Sequence, residues 1–442
     1  MPAVDRIVAV ATPPGRGAVG IVRLSGPALA DLFPALLGRP TLPARRAVFT
    51  AFLDAGGSRI DEGLAVFFPA PHSYTGEDVL ELQAHGSPAV LALLIRHCLQ
   101  CGARMAEPGE FTRRAYLNDR LDLVQAEAVA DLISASTEAA ARAAMRSLDG
   151  EFSRLVRGLG DEITALRVLA EACLDFPEED VDLLTQRGGL EHLQKIRETI
   201  AQVLSAATSG RLLQEGARVV LCGRPNVGKS TLLNRLAEAE VAIVTDIPGT
   251  TRDPLREMIQ IGGVPLQVID TAGLRETHDK VERIGVERSW RSIEGADVAL
   301  VVLDAQCGWT EEDRAITRRL PGHVPQLIAF NKADVAPRTQ EVGDTLYISA
   351  LDGTGMDRLK REMLARLGWT HSDNPVYAAR ERHLGALRAA SRELDLARAQ
   401  AFNLDLFAEH LRVAHRTLAE LTGEVSSDDL LGEIFQRFCI GK

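Results

Sequence analysis

No run of about 18 or more apolar residues occurs, so no membrane-spanning helix is expected. The opening Met1-Pro2-Ala3-Val4-Asp5-Arg6 lacks the basic-then-apolar layout of a signal peptide. Cysteine is sparse and scattered, at Cys98, Cys101, Cys173, Cys222, Cys307 and Cys439. Only Cys98 and Cys101 have metal-like spacing, and no second pair completes a zinc site. They close an apolar helical stretch and are expected to pack in a core. These absences predict a reducing, cytoplasmic setting with no membrane partner. Basic residues are in deficit, 50 Lys and Arg against 61 Asp and Glu, for a formal net charge of −11. That balance argues against a surface coated by nucleic acid and leaves room only for local basic patches. At 442 residues the chain exceeds one ordinary core, and its length suggests about three domains.

What is present centres on Gly223-Arg224-Pro225-Asn226-Val227-Gly228-Lys229-Ser230, which fits G-x-x-x-x-G-K-[ST]. The apolar Val219-Val220-Leu221-Cys222 before it reads as a buried strand, and Thr231-Leu232-Leu233 after it opens a helix. Gly223 and Gly228 let the backbone wrap a phosphate, so that N–H groups and the helix N-terminus face negative charge. Lys229 then reaches the β- and γ-phosphates and Ser230 holds Mg²⁺.

Three further strand ends carry polar elements. Asp270-Thr271-Ala272-Gly273 follows Leu266-Gln267-Val268-Ile269, Asn331-Lys332-Ala333-Asp334 follows Leu327-Ile328-Ala329-Phe330, and Ser349-Ala350 follows Leu346-Tyr347-Ile348. Strand ends are where open α/β sheets bind ligands. An Asp at such an end, here Asp270, can hold Mg²⁺ through water, and the Gly273 N–H can meet the γ-phosphate. In this set the chain resembles the translation-factor-like branch of P-loop GTPases. The resemblance implies that Asp334 accepts from guanine N1 and N2, making GTP the nucleotide, and that Thr250-Thr251 belongs to switch I.

The flanks are of two kinds. Residues 1–118 are mixed: Ile7-Val8-Ala9-Val10-Ala11 reads as a strand, and Glu77 to His85 alternates as a half-buried strand. Gly15, Gly17 and Gly20 match G-x-G-x-x-G, but the β-branched Ile21-Val22-Arg23-Leu24 that follows predicts a strand, not the helix a dinucleotide fold needs. Ser87-Pro88 starts a helix with Ser as N-cap. His85 at its strand end reads as structural rather than as a ligand. Residues 119–215 are strongly helical, with Val124 to Leu148 alanine-rich and Leu155, Leu159, Ile163, Leu166 and Leu169 forming a bundle stripe. Arg142, Arg146, Arg154 and Arg157 read as a solvated face. After the GTPase segment, 216–373, a helical pattern resumes over 374–442 through Leu384, Leu387, Leu394, Leu396, Leu406, Leu411, Leu418 and Leu421. Ser426-Ser427-Asp428-Asp429 caps a last short helix. The simplest architecture is one helical domain built from both flanking segments around an inserted GTPase domain.

Beyond the GTPase elements, several stretches resemble one family closely: Ala11-Thr12-Pro13-Pro14-Gly15-Arg16-Gly17, Tyr74-Thr75-Gly76-Glu77-Asp78, Pro108-Gly109-Glu110-Phe111, Leu121-Asp122-Leu123-Val124-Gln125-Ala126-Glu127-Ala128 and the terminal Cys439-Ile440-Gly441-Lys442. The chain is identified as resembling the MnmE (TrmE) family of tRNA-modification GTPases. The resemblance implies a multidomain α/β and all-α chain: an N-terminal α+β folate-binding-like domain, a helical domain from two chain segments, and an inserted Ras-like P-loop GTPase domain. It implies a homodimer through residues 1–118 and a formyl- or methylene-tetrahydrofolate held there by Arg23, Glu81, Arg120 and Lys442. Position 120 is Lys in the family pattern; Arg keeps the charge but replaces a point donor with a planar fork. It implies an FAD- and NADH-using partner, MnmG, in a heterotetramer that adds a carboxymethylaminomethyl or aminomethyl group at C5 of the wobble uridine of tRNA. Cys439 matches a cysteine needed for that modification.

Leu274 stands where ordinary small GTPases carry a water-orienting Gln, and no arginine finger is evident. The family resemblance implies that K⁺ supplies the missing charge, held by Asn226 and by Thr245, Ile247 and Thr250 of the switch I run Thr245-Asp246-Ile247-Pro248-Gly249-Thr250. Thr251 then binds Mg²⁺ with Ser230 and Asp270, and Glu282 orients water. Spacing alone reads Glu282 as a surface residue on a helix; only the resemblance gives it a role. The alternative is a ribosome-assembly GTPase, but the chain carries no second P-loop and no KH-type G-x-x-G loop beside a basic helix.

Overall fold

The computed structural model describes residues 5–175, 188–239, 256–270, 294–336, 345–369, 376–424, 428–436, 438 and 441. Two compact units divide the chain: Met1–Ala130 with Ala419–Lys442, and Asp131–Leu418. The last residues of the chain thus group with the first, a division that the sequence pattern, which keeps 374–442 together, does not reveal. Among the described residues no helix is long and apolar enough to cross a membrane.

In the first unit, β1 (Arg6–Val10), β2 (Gly17–Gly26), β3 (Val48–Leu53), β4 (Arg59–Phe68), β5 (Asp78–Gly86) and β6 (Ala103–Met105) form a sheet in the order β3-β4-β5-β2-β1-β6. Only the β1–β6 pair is parallel. Strand β2 continues where a dinucleotide fold needs a helix, as its β-branched residues predict. Alternation sorts the side chains: Val22, Leu24, Leu80 and Leu82 are buried with Phe33 and Leu36 of the short α1 (Phe33–Leu37) and with Leu91, Leu94 and Cys98 of α2 (Pro88–Gln100). Cys98 is thus a core residue, and burial pushes its thiol up to about 12. The intervening residues, Arg23 opposite Glu81, belong to the other face. Ser87 precedes α2 in extended conformation, but its side chain makes no capping bond; its carbonyl accepts from the Leu91 N–H at 3.0 Å.

A knot of charge ties β1 to the helix α3 (Glu110–Leu117). Arg114 donates to Glu77 (3.0 Å), Glu110 (3.0 Å) and Asp5 (2.6 Å), and Arg104 also reaches Glu110 at 2.6 Å. Burial alone would raise the Glu110 carboxyl, yet the hydrogen bonds from Arg104, the Glu107 N–H and Arg114 hold it below the usual range. A carboxyl depressed by folding stabilises above its unfolded pKa, and that contribution is lost as pH falls through the folded value. Glu110→Gln is therefore expected to destabilise this unit by about 3 kcal/mol at neutral pH, the scale of breaking a buried pair. Its stability should also fall less steeply with acidification than the parent's. Amide exchange of β1 and β6 across pH measures both.

The second unit begins with helices. The alanine-rich stretch does not run through as one: after α4 (Leu123–Ser134) the chain breaks, and Thr137 caps α5 (Glu138–Leu148) by accepting from the Ala140 N–H at 3.1 Å. No Gly or Pro marks this break; a side-chain hydroxyl competing for the backbone makes it. In α6 (Glu151–Asp175) the buried stripe is Phe152, Val156, Leu159, Ile163, Leu166 and Ala170, while Leu155 is exposed and Leu169 half-buried, so the expected stripe is off by one position at each end. Arg142 pairs with Glu138 on an exposed face, as a solvated arginine does. The segments on either side of the GTPase part pack together. Arg380 meets Asp131 at 2.6 Å, Ser147 donates to the Ala378 carbonyl at 3.2 Å, and Phe152 stacks on Tyr377. Helix α7 (Gly189–Glu215) then turns at Gly216 into the second sheet.

That sheet holds β7 (Ala217–Cys222), β8 (Arg256–Ile261), β9 (Val264–Asp270), β10 (Val298–Asp304), β11 (Gln326–Asn331) and β12 (Leu346–Tyr347), in the order β12-β11-β10-β7-β9-β8. All neighbours are parallel except β8–β9. The run Val298-Ala299-Leu300-Val301-Val302-Leu303-Asp304 is buried throughout, as a strand covered on both faces must be. Helices α8 (Lys229–Ala239), α9 (Glu311–Arg319) and α10 (Met356–Arg366) follow β7, β10 and β12. The chain continues into α11 (Glu381–Ala399) and α12 (Leu404–Thr422), and α13 (Asp428–Gln436) belongs to the first unit. The residues expected to cap α13, Ser426 and Ser427, lie outside the described residues. This is the multidomain α/β and all-α architecture expected, with a Ras-like sheet inserted in a helical domain.

Candidate functional site

Parallel pairing brings the C-terminal ends of β9, β7, β10 and β11 into one row, and the polar motifs sit there. Between β7 and α8 the loop turns through Gly223, Asn226 and Gly228, all with positive φ. A methyl group at Gly223 would strike the Val302 carbonyl, and one at Gly228 the Asn331 amide, so close approach demands both glycines. Asn226 at φ 63° is among the few side chains that tolerate that conformation. Lys229 is nearly buried and donates to the Gly223 and Arg224 carbonyls at 2.8 and 3.0 Å, lying along the loop's own concavity. Val227 anchors the loop in the core, while Ser230 and Thr231 are exposed on the first turn of α8.

Asn331 joins two parts of the site. Its Nδ2 donates to the Val227 carbonyl at 2.8 Å, and its Oδ1 accepts from the Ala350 N–H at 2.9 Å. Phosphate loop and base-side loop are thereby fixed to one buried side chain. Ser349 lies beside it, buried, with its N–H on the Thr354 carbonyl. Lys332, at φ 67°, pairs with Asp304 at 2.7 Å, and Asp334 is exposed in the turn that follows. The structure thus assembles Gly223, Asn226, Val227, Gly228, Lys229, Ser230, Thr231, Asn331, Lys332, Asp334, Ser349 and Ala350 at one edge, with Asp270 ending the neighbouring strand opposite Leu221. Thr245 to Thr251, Thr271 to Gly273, Leu274 and Glu282 lie outside the described residues.

Two contributors escape the motif reading. Burial would raise the Asp304 carboxyl, but hydrogen bonds from Lys332 and the Gln306 N–H and the nearby cations hold it low. Its only signal in the sequence is a carboxylate ending an otherwise apolar strand. Arg235 of α8 donates to the Leu351 carbonyl at 3.1 Å and props the base-side loop.

In the N-terminal unit two of the predicted residues, Arg23 and Glu81, meet on one face of the sheet. Arg23 donates to Glu81 at 2.9 Å and lies over the rings of Tyr74 and Phe111, at 5.7 and 5.9 Å. Tyr74, its phenol pushed up by burial, shares a hydrogen bond with Thr112 at 2.8 Å. Arg120 packs against Gly76 in the same loop. His85 is held by Asp61 at 2.9 Å, in keeping with a structural role. Gly441 is buried so close to Val10 that a methyl group there would strike its carbonyl. Phe438 lines an apolar cavity of about 960 Å³ with Thr12, Pro13, Leu91 and Leu99, but Arg23, Glu81 and Arg120 do not line it. Cys439 and Lys442 lie outside the described residues. Among the described residues no cluster of three or more His, Cys, Asp or Glu could hold a metal.

A glycine loop leading from strand to helix, a base-side Asn-Lys-x-Asp strand end and their parallel sheet define a P-loop GTPase, here inserted into a helical domain. Residues 6–120 match the family model for the GTP-binding protein TrmE N-terminus, and residues 123–439 that for the MnmE helical domain. The chain is 56% identical to a tRNA modification GTPase MnmE of Paraburkholderia xenovorans, over 99% of each chain. It is 54% identical to one of Nitrosomonas europaea, again over 99% of each. It belongs to the MnmE family of tRNA-modification GTPases. A solved Aquifex aeolicus Era bound to GDP.AlF4- is 29% identical over 41% of this chain and 67% of its own, with a TM-score of 0.30.

Asn331→Ala would leave the Val227 carbonyl and the Ala350 N–H without their partner. At roughly 1–3 kcal/mol for each such group, GDP affinity is expected to fall at least ten-fold. Titration with a fluorescent GDP analogue measures the loss.

Proposed function

We propose that this chain couples GTP hydrolysis to modification of the wobble uridine of tRNA. It would act as a homodimer with an FAD- and NADH-using partner of the MnmG type, drawing a one-carbon unit from formyl- or methylene-tetrahydrofolate. The domains we assign are 1–118 for folate and dimerisation, 119–215 and 374–442 for the helical domain, and 216–373 for GTP. Family membership favours this reading over a ribosome-assembly switch. The observation that carries it is the docking of the tail: Phe438 and Gly441, on either side of Cys439, both pack in the unit that holds Arg23, Glu81 and Arg120.

The described residues suit these ligands. Asp334, exposed in the turn after Lys332, would accept from guanine N1 and N2, with Ala350 at the neighbouring strand end held by Asn331. Lys229 exchanges two loop carbonyls for phosphate oxygens, a gain in charge complementarity. Ser230 and Asp270 would hold Mg²⁺ with Thr251, which supplies charge neutralisation to the phosphates when bound. In the N-terminal unit Glu81 suits the N–H groups of a pterin and Arg23, paired to it at 2.9 Å, would orient that carboxylate, with Arg120 and Lys442 adding cations for the carboxylates of the folate.

Leu274 can orient no water, so another charge must act, and Asn226 with Thr245, Ile247 and Thr250 would hold K⁺ in that role, with Glu282 orienting water. Hydrolysis is expected to be at least about ten-fold faster in K⁺ than in Na⁺ at equal ionic strength. That is a lower bound, well short of the roughly 10³–10⁵ a positioned arginine supplies. Asn226→Ala should abolish the difference and keep GDP binding; equal parental rates in the two salts would refute the role.

Cys439→Ser is expected to retain near-parental GTP hydrolysis and to lose modification, read by mass spectrometry of wobble uridines. Modification at the parental level in that variant would refute the tail's part in the chemistry.

A further inference from the structure

Outside the residues that motif matching selects, one buried carboxylate reaches the phosphate loop. Asp313 lies in the first turn of α9, its side chain wholly buried. Its Oδ2 accepts from the Thr310 N–H at 3.1 Å and from the Thr310 hydroxyl at 2.6 Å, closing a capping box. Its Oδ1 is turned the other way and accepts from Arg224 Nε at 3.0 Å. A cap needs only one of these oxygens and needs no cation.

Arg224 is the second residue of the phosphate loop, and its own carbonyl accepts from Lys229 Nζ at 3.0 Å. A continuous chain of contacts thus runs from a buried acid, through a guanidinium, to the backbone that seats the phosphate-binding lysine. We propose that Asp313 is a positioning residue for GTP, acting through Arg224 to hold the phosphate loop open to its ligand. The loop's floor is set by Val302 and Val227 and its base-side rim by Asn331; the Asp313–Arg224 pair adds a side-chain restraint at the first turn. A charge-assisted bond to a carboxylate wholly kept from solvent is strong enough for this, although the guanidinium itself is partly exposed. Because Arg224 is paired, its charge is spent on the loop's shape rather than offered to the phosphates.

The test uses the full chain and a fluorescent GDP analogue. Asp313→Asn keeps an acceptor for the cap but removes the charge, and Arg224→Ala leaves the cap untouched. Each is expected to weaken binding about ten-fold, the factor equivalent to ~1.4 kcal/mol. The double variant should be no weaker than either single one, since both break the same link. Arg224→Lys, which restores a cation to this single bond, should recover most of the loss. Thr310→Ala, which damages the cap alone, should bind as the parent does. Parental affinity in Arg224→Ala, additive losses in the double variant, or a Thr310→Ala loss equal to that of Asp313→Asn would each overturn the proposal. Since Arg224→Ala spares α9, a folding defect of the Asp313 variant cannot decide the outcome.

Discussion

The nucleotide site depends on one buried side chain that belongs to neither of the loops it holds. Asn331 ends β11, donates to the phosphate loop at Val227 and accepts from the base-side loop at Ala350. Both loops are backbone structures whose donors must point outward to a ligand. Neither can satisfy itself internally without losing that function, so the restraint must come from outside. A parallel sheet supplies it, because the ends of β7, β10 and β11 lie side by side and β11 places a short amide where both loops converge. Gly228 is then compulsory, since any side chain there would displace the Asn331 amide.

The same logic explains the charged residues around the loop. Lys229 and Lys332 are cations in a site meant for a polyanion, and in the protein alone each has a stand-in partner: loop carbonyls for the first, Asp304 for the second. These partners offset part of the desolvation cost of holding the cations there. The loop is consequently shaped before its ligand arrives, which limits the ordering that binding must impose.

How much of this is legible in the sequence follows from what each motif encodes. Glycine positions and the apolar runs that precede each polar motif report backbone constraints directly, and the ligand edge with Asn331 follows from them. Asp304, Asp313 and Arg235 act through partners far away in sequence, and pairing of that kind leaves no local trace. The break before Thr137 is hidden for a related reason: nine alanines and no glycine or proline promise continuity, and a single hydroxyl cap overrides them. Leu155 shows the limit of periodicity, since leucines spaced for a stripe give way to Phe152 and Val156, which fill the interface better.

The two ends of the chain illustrate a constraint that operates across the whole molecule. An inserted domain requires its host segments to meet again, and here they do so through Arg380 on Asp131 and Tyr377 on Phe152. The C-terminal residues go further and join the first unit, where Leu431, Phe435 and Phe438 pack on Leu123 and Ala126. Gly441 then meets Val10 at the end of β1, a strand whose other end is fixed by Asp5 to Arg114 and Arg104. Phe438 and Gly441 thus belong with the end of a strand that is pinned by charge at its other end, and Arg23 lies on the next strand with Glu81 one strand beyond. One folded unit therefore holds residues from both ends of the chain, with the GTPase inserted between them in sequence and built on a sheet of its own.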